Sequence, residues 1–162
     1  MNVFYICGGE VKNFMNKILR EQCFDDFELR NAKIQSFAEF DIDGKVNREF
    51  MKSEGAEVNP DTEEVFFCKW GRIKPYVFNF VKGKVKPSYM KFVISAPREL
   101  LEKISDNAAA LFLNFVFEKD MVICTTGTAQ KTFVLNKELD LVWEEYVKEF
   151  FKNIEVAVKT EI

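Results

Sequence analysis

A stretch of the chain recurs at an offset of 62 residues, and this repetition constrains the fold more than any other feature. Phe4 and Tyr5 match Phe66 and Phe67, and Gly9-Glu10-Val11-Lys12-Asn13-Phe14-Met15 matches Gly71-Arg72-Ile73-Lys74-Pro75-Tyr76-Val77. Ile18-Leu19 then match Phe80-Val81. Each copy is a short apolar run, a glycine break, and apolar residues at three- and four-residue steps, which is the pattern of strand, turn and amphipathic helix. Hairpin strands follow both copies. The competing explanation is that any strand-glycine-helix segment resembles any other. The fold expected from the repeat is an α+β domain with a mainly antiparallel sheet, built from two tandem strand-helix-hairpin units.

The first unit spans about residues 1–53. Its strand covers 3–7, and its helix covers 10–22 with Val11, Phe14, Met15, Ile18 and Leu19 on one face. In-out alternation from Phe27 to Phe37 predicts a strand, continued by Phe40-Asp41-Ile42 to Asp43-Gly44, a dipeptide that signals a hairpin. Residues 54–64 hold five acids, a glycine and a proline without apolar period, and read as a linker. The second unit spans about 65–135, with strands at 65–68, 89–96 and 131–135. Its helix covers 72–81, with Pro75 in the first turn, where a missing N–H costs nothing. A short helix starts at Pro97, and a hairpin joins 110–117 to 121–125 through Glu118-Lys119-Asp120. A C-terminal amphipathic helix at about 137–153 closes the sheet, so that 1–162 forms a single domain.

Histidine is absent, which removes the usual general acid/base at neutral pH and every Ser-His or Cys-His nucleophile pair. The four cysteines, Cys7, Cys23, Cys68 and Cys124, form no Cys-x-x-Cys pair, and read as small buried hydrophobes in a reducing compartment. No catalytic constellation, cofactor or metal site is expected. The opening residues lack a basic leader, and no apolar run approaches a membrane span, so a cytoplasmic protein with no membrane partner is expected.

Charge placement points to binding. Between Glu64 and Glu99 lie 34 residues with no acid and eight bases, Lys69, Arg72, Lys74, Lys82, Lys84, Lys86, Lys91 and Arg98. The whole chain nonetheless carries a net charge of −3. Trp70, Tyr76, Phe78, Phe80 and Tyr89 interleave with these bases. Clustered lysine and arginine displace counterions from phosphates, and aromatic faces stack on unpaired bases. The polar face of the first helix adds Lys12, Lys17 and Arg20. The candidate site is therefore Lys12, Lys17, Arg20, Arg72, Lys74, Lys82, Lys84 and Lys86, facing DNA or another anionic polymer. A solvated surface paired with the acidic linker is the competing reading.

Two strand-helix-hairpin units in tandem resemble one domain of a DNA sliding clamp, over roughly residues 1–135. The resemblance implies that both helices lie on one side of the sheet and face DNA; the chain holds one domain's worth of units, where clamp rings use six domains. Phe24-Asp25-Asp26-Phe27, Asp41-Ile42-Asp43-Gly44-Lys45, Val81-Lys82-Gly83-Lys84 and Cys124-Thr125-Thr126-Gly127-Thr128 with Lys131-Thr132-Phe133 are similar to a family of uncharacterised proteins from anaerobic Firmicutes. That similarity implies no activity.

The rival function is an assembly module, self-associating or binding another protein through Trp143, Tyr146, Phe150 and Phe151 of the last helix. The default role of that stripe is to cover the chain's own sheet. Asp41-x-Asp43-Gly44 resembles the start of a calcium loop, but the glycine comes two positions early and Lys52 stands where the loop needs a bidentate acid. Thr125-Thr126-Gly127-Thr128 lacks the spacing of a phosphate-cradling loop and reads as a turn. Asp25-Asp26 and Glu63-Glu64 read as solvated carboxylates, and Lys17 and Lys74 are nucleophiles only if buried.

Overall fold

The computed structural model describes residues 2–55 and 65–161. The acidic linker therefore lies outside the described residues, apart from Glu54 and Gly55. In chain order the elements are β1 (Val3–Ile6), α1 (Gly9–Leu19), β2 (Glu28–Gln35), β3 (Glu39–Asp43), α2 (Arg48–Ser53), α3 (Trp70–Val81), β4 (Tyr89–Ser95), α4 (Arg98–Ile104), β5 (Ala108–Glu118), β6 (Met121–Gln130) and α5 (Glu138–Asn153). Among the described residues the six strands make one open sheet in the order β1-β6-β5-β4-β2-β3, every neighbouring pair antiparallel. The α+β class and the antiparallel sheet are as expected.

One row of paired residues crosses the whole sheet: Phe4, Cys124, Phe115, Phe92, Ala32 and Ile42. Side chains alternate between faces along a strand, so this row defines the face that takes the helices. Phe151 of α5 packs on Phe4 with ring centroids 5.8 Å apart, Phe14 of α1 packs on Phe115 at 4.9 Å, and Trp70 of α3 packs on Phe92 at 5.2 Å. Phe24, Phe27 and Phe150 join the same ring network, which accounts for much of the phenylalanine content. Each ring removed from water contributes roughly 1.5–3 kcal/mol, and edge-to-face pairing adds about 0.5–1.5 kcal/mol. The adjoining row on the other face, Val3, Thr125, Asn114, Val93, Asn31 and Asp43, is half-buried or exposed. There a bulge in β2 turns Arg30 over the rings of Phe67 and Phe112, at 4.0 and 5.2 Å, with its Nε donating to Ser95 Oγ.

The two repeated units are not equivalent in space. β1 pairs with β6, far from its own hairpin β2–β3, and its outer edge exchanges two backbone hydrogen bonds with Lys159. The second copy's expected strand at 65–68 is reduced to isolated bridges, Phe67 with Lys45 and Lys69 with Glu28. β2 and β3 splay apart beyond Asn31 and Asp43, and residues 66–70 enter the gap: Cys68 N–H donates to Gly44 O, and Leu29 N–H to Cys68 O. The β2–β3 turn lies at Ser36–Ala38, so Asp43-Gly44 is not a hairpin tip. Its glycine has another cause: a Cβ there would lie 1.8 Å from the Leu29 carbonyl oxygen.

Further boundaries shift. α3 begins at Trp70, two residues before the expected start, because the N–H groups of Trp70 and Gly71 find acceptors in the carbonyls of Phe27 and Asp25. Pro75 consequently stands inside the helix, where it removes one backbone hydrogen bond. Residues 131–135 form no strand; β6 instead runs on to Gln130. The β5–β6 turn is centred on Lys119 and Asp120, both at positive φ (52° and 57°), the geometry of a two-residue hairpin.

α5 covers the sheet with Leu139, Trp143, Val147 and Phe151 fully buried or nearly so. Trp143 Nε1 donates to Phe112 O, and Trp70 Nε1 in α3 donates to Ile18 O, so neither indole is left unpaired. No helix among the described residues is long and apolar enough to cross a membrane.

Candidate anion-binding surface

α1 and α3 adjoin on the same face of the sheet, and the eight candidate bases divide according to what surrounds each of them. Lys74 is tied down: its Nζ donates to Asp25 Oδ1 at 2.6 Å and to Glu21 O at 2.9 Å, and its side chain is 12% exposed. It fastens α3 to the connection after α1. Lys17 is 16% exposed and pairs with Glu21 at 3.1 Å, one helical turn on; that hydrogen bond raises its pKa. Both lysines are structural ties and not part of an available surface.

The others make no ion pair with a described residue. Arg20, exposed at the end of α1, holds its guanidinium 5.3 Å from the Phe78 ring of α3. Arg72 is exposed at the start of α3 and points its Nη1 at Met51 Sδ. Lys12 lies exposed on α1, and Lys82, Lys84 and Lys86 are exposed in the segment between α3 and β4. None of these four lysines makes an ion pair with a described residue. Lys12 and Lys86 come together at the mouth of one cleft.

The acid-free stretch does not fold into a single patch. Lys91 alternates onto the sheet face opposite the helices, Arg98 sits on α4, and Lys69 lies 3.9 Å from Asp26. A residue from the first unit joins the basic segment instead. Ser88 N–H and Oγ both donate to Gln35 O, which ties the end of the segment between α3 and β4 to the end of β2. At that turn Phe37 is 90% exposed. Its ring meets Phe40 edge-on at 5.5 Å, and Phe40 stacks on Phe80 of α3 at 4.2 Å and 17°. A row of three rings thus runs from the end of α3, which Lys82 follows directly in the chain, out to solvent. Glu39, the acid nearest in sequence, is engaged by Lys33 at 3.2 Å. Sequence reasoning missed Phe37 and Phe40 because it continued the strand past Ser36; a turn placed there would have put an aromatic at its tip.

The other candidate groups are occupied. Asp41 accepts from Asn31 Nδ2 and Asp43 from Lys45 N–H, both at the β3 edge. Burial pushes the Cys124 thiol far up, so it carries no thiolate. Of the assembly stripe, Trp143 and Phe151 are fully buried, and Tyr146 and Phe150 are half-buried in the ring network. The arrangement is suited to holding an anion with permanent charge and a stacking surface.

No curated protein and no solved structure matches the chain. A family model, that of the DUF5721 family of unknown function, matches residues 17–159, which takes in α3, the basic segment and the Phe37 turn. The chain belongs to this family of unknown function.

Proposed function

We propose that the protein is a non-catalytic binding module that holds a polyanion, with a single-stranded nucleic acid as the polymer best suited to it. The observation that carries this reading is the ring row from Phe80 to the exposed Phe37, tied through Ser88 to the segment that holds Lys82, Lys84 and Lys86, three exposed cations with no ion pair to a described residue. Phosphates would engage the lysines and an unpaired base would stack on Phe37. Arg20 and Lys12 extend the positive surface along α1.

The test is a salt titration with a fluorescent oligothymidylate. With about three lysine–phosphate contacts, log K falls with log salt at a slope of roughly −2. Phe37→Ala weakens binding by about 1–3 kcal/mol, and charge reversal of Lys82, Lys84 and Lys86 abolishes it. Absence of binding at low salt, or binding indifferent to these changes, overturns the reading.

One observation favours a second reading, assembly with another protein. Phe133 and Leu135 are exposed in the connection from β6 to α5, and Leu141 is exposed in the first turn of α5, away from its buried stripe. A mass in solution above that of one chain, reduced to one chain by Leu135→Glu and Leu141→Glu, supports this second reading.

A further inference from the structure

We propose that the cleft between α1 and the end of α3 binds one monomeric amphipathic anion, an acyl chain with a carboxylate head. The cleft has a volume of about 600 Å³, within the range of small-ligand sites. Met15 and Leu19 of α1, Val81 of α3, Met90 of β4 and Phe117 of β5 line it, so it offers an acyl chain mainly dispersion contact. The two methionines adapt to a flexible occupant.

Charged side chains stand only at the mouth. Lys12 reaches it from α1 and Lys86 from the segment before β4, against the single carboxylate of Asp120 at the β5–β6 turn. Neither lysine is ion-paired with a described residue, so the mouth carries a net positive charge above an apolar hole. An apolar floor under two unpaired cations is complementary to a molecule with one long apolar end and one acidic end. A neutral chain would leave the cations without a partner, and a small anion would leave the floor wet. The site shares Lys12 and Lys86 with the polymer surface but differs from it in its apolar part, because the acyl chain needs the cleft and not the Phe37 ring.

The experiment is calorimetric titration of the full chain with dodecanoate below its micelle concentration, beside dodecanol, acetate and phosphatidylglycerol vesicles. Dodecanoate is expected to bind at one site, dodecanol at least about tenfold more weakly, and acetate and vesicles not at all. Lys12→Glu with Lys86→Glu, both at exposed positions, removes the preference for dodecanoate over dodecanol, and Met15→Trp, which fills the cleft, removes binding of both. Equal affinity for dodecanol and dodecanoate in the unaltered protein overturns the proposal. So does dodecanoate affinity that the lysine reversals leave undiminished, or attachment to vesicles without binding of the monomer.

Discussion

Single residues in this protein are constrained by close backbone approaches and by the partners of individual charges. Gly44 is the sharpest case, because a methyl group there would collide with a main-chain carbonyl that the β2–β4 ladder holds in place. Gly44→Ala is therefore expected to lower unfolding stability by about 1–3 kcal/mol, read from the midpoint of urea denaturation. Phe37→Ala, at a far more exposed position, should leave that midpoint unchanged. Glu10 illustrates the charges. Its carboxylate accepts from Ala157 N–H at 3.0 Å and from Asn13 Nδ2 at 3.1 Å, and the first of these bonds is the larger cause of a pKa below the ordinary carboxylate value. The folded pKa lies below the unfolded one, so the contribution is complete above about pH 4.3 and is lost as pH falls through the lower folded value. Acidification through that window should loosen the segment that lies on β1, seen as faster hydrogen exchange at Tyr5 and Lys159. Glu10→Gln should show fast exchange at these amides at neutral pH.

At the scale of elements, helices were more legible than the strands' partners. The apolar spacing of α1, α3 and α5 marks each of them, because a helix face is written within one short stretch of sequence. Strand pairing is not local: nothing in residues 3–7 tells that they lie beside β6, and nothing in 65–68 tells that those residues bridge the splayed ends of β2 and β3. The same limit applies to the candidate surface. Its lysines were visible as a charge pattern, yet Lys74 and Lys17 dropped out because Asp25 and Glu21, which lie outside both helices, engage them. Phe37 came in through a hydrogen-bonded contact between two segments more than fifty residues apart. One variant separates the two kinds of lysine. Lys74→Ala removes two charge-assisted hydrogen bonds between α3 and the α1–β2 connection, and is expected to cost about 1.5–3 kcal/mol of stability while leaving oligonucleotide affinity unchanged. Lys84→Ala should show the reverse, weaker binding at constant stability, measured by the same titration and the same denaturation curve.

Over the whole molecule, the sheet joins distant parts of the chain. Asn2 N–H donates to Thr126 Oγ1 across 124 positions, and Tyr5 is flanked by Ile123 on one side and Lys159 on the other. β1 therefore cannot be completed by anything near it in sequence, whereas the β5–β6 hairpin closes over a two-residue turn. Closing large loops before any contact rewards them makes such pairing slow. In refolding followed by pulsed hydrogen exchange, the amides of β5 and β6 should be protected first and those of β1 in the slowest phase. During synthesis the consequence is one of timing: Phe4 and Ile6 leave the ribosome as an unmatched apolar strand and stay so until β6 has also emerged. β1 thus stays unpaired on its β6 side while everything from α1 to β5 is synthesised, and the yield in a cell should depend on chaperone supply more than the final stability would suggest.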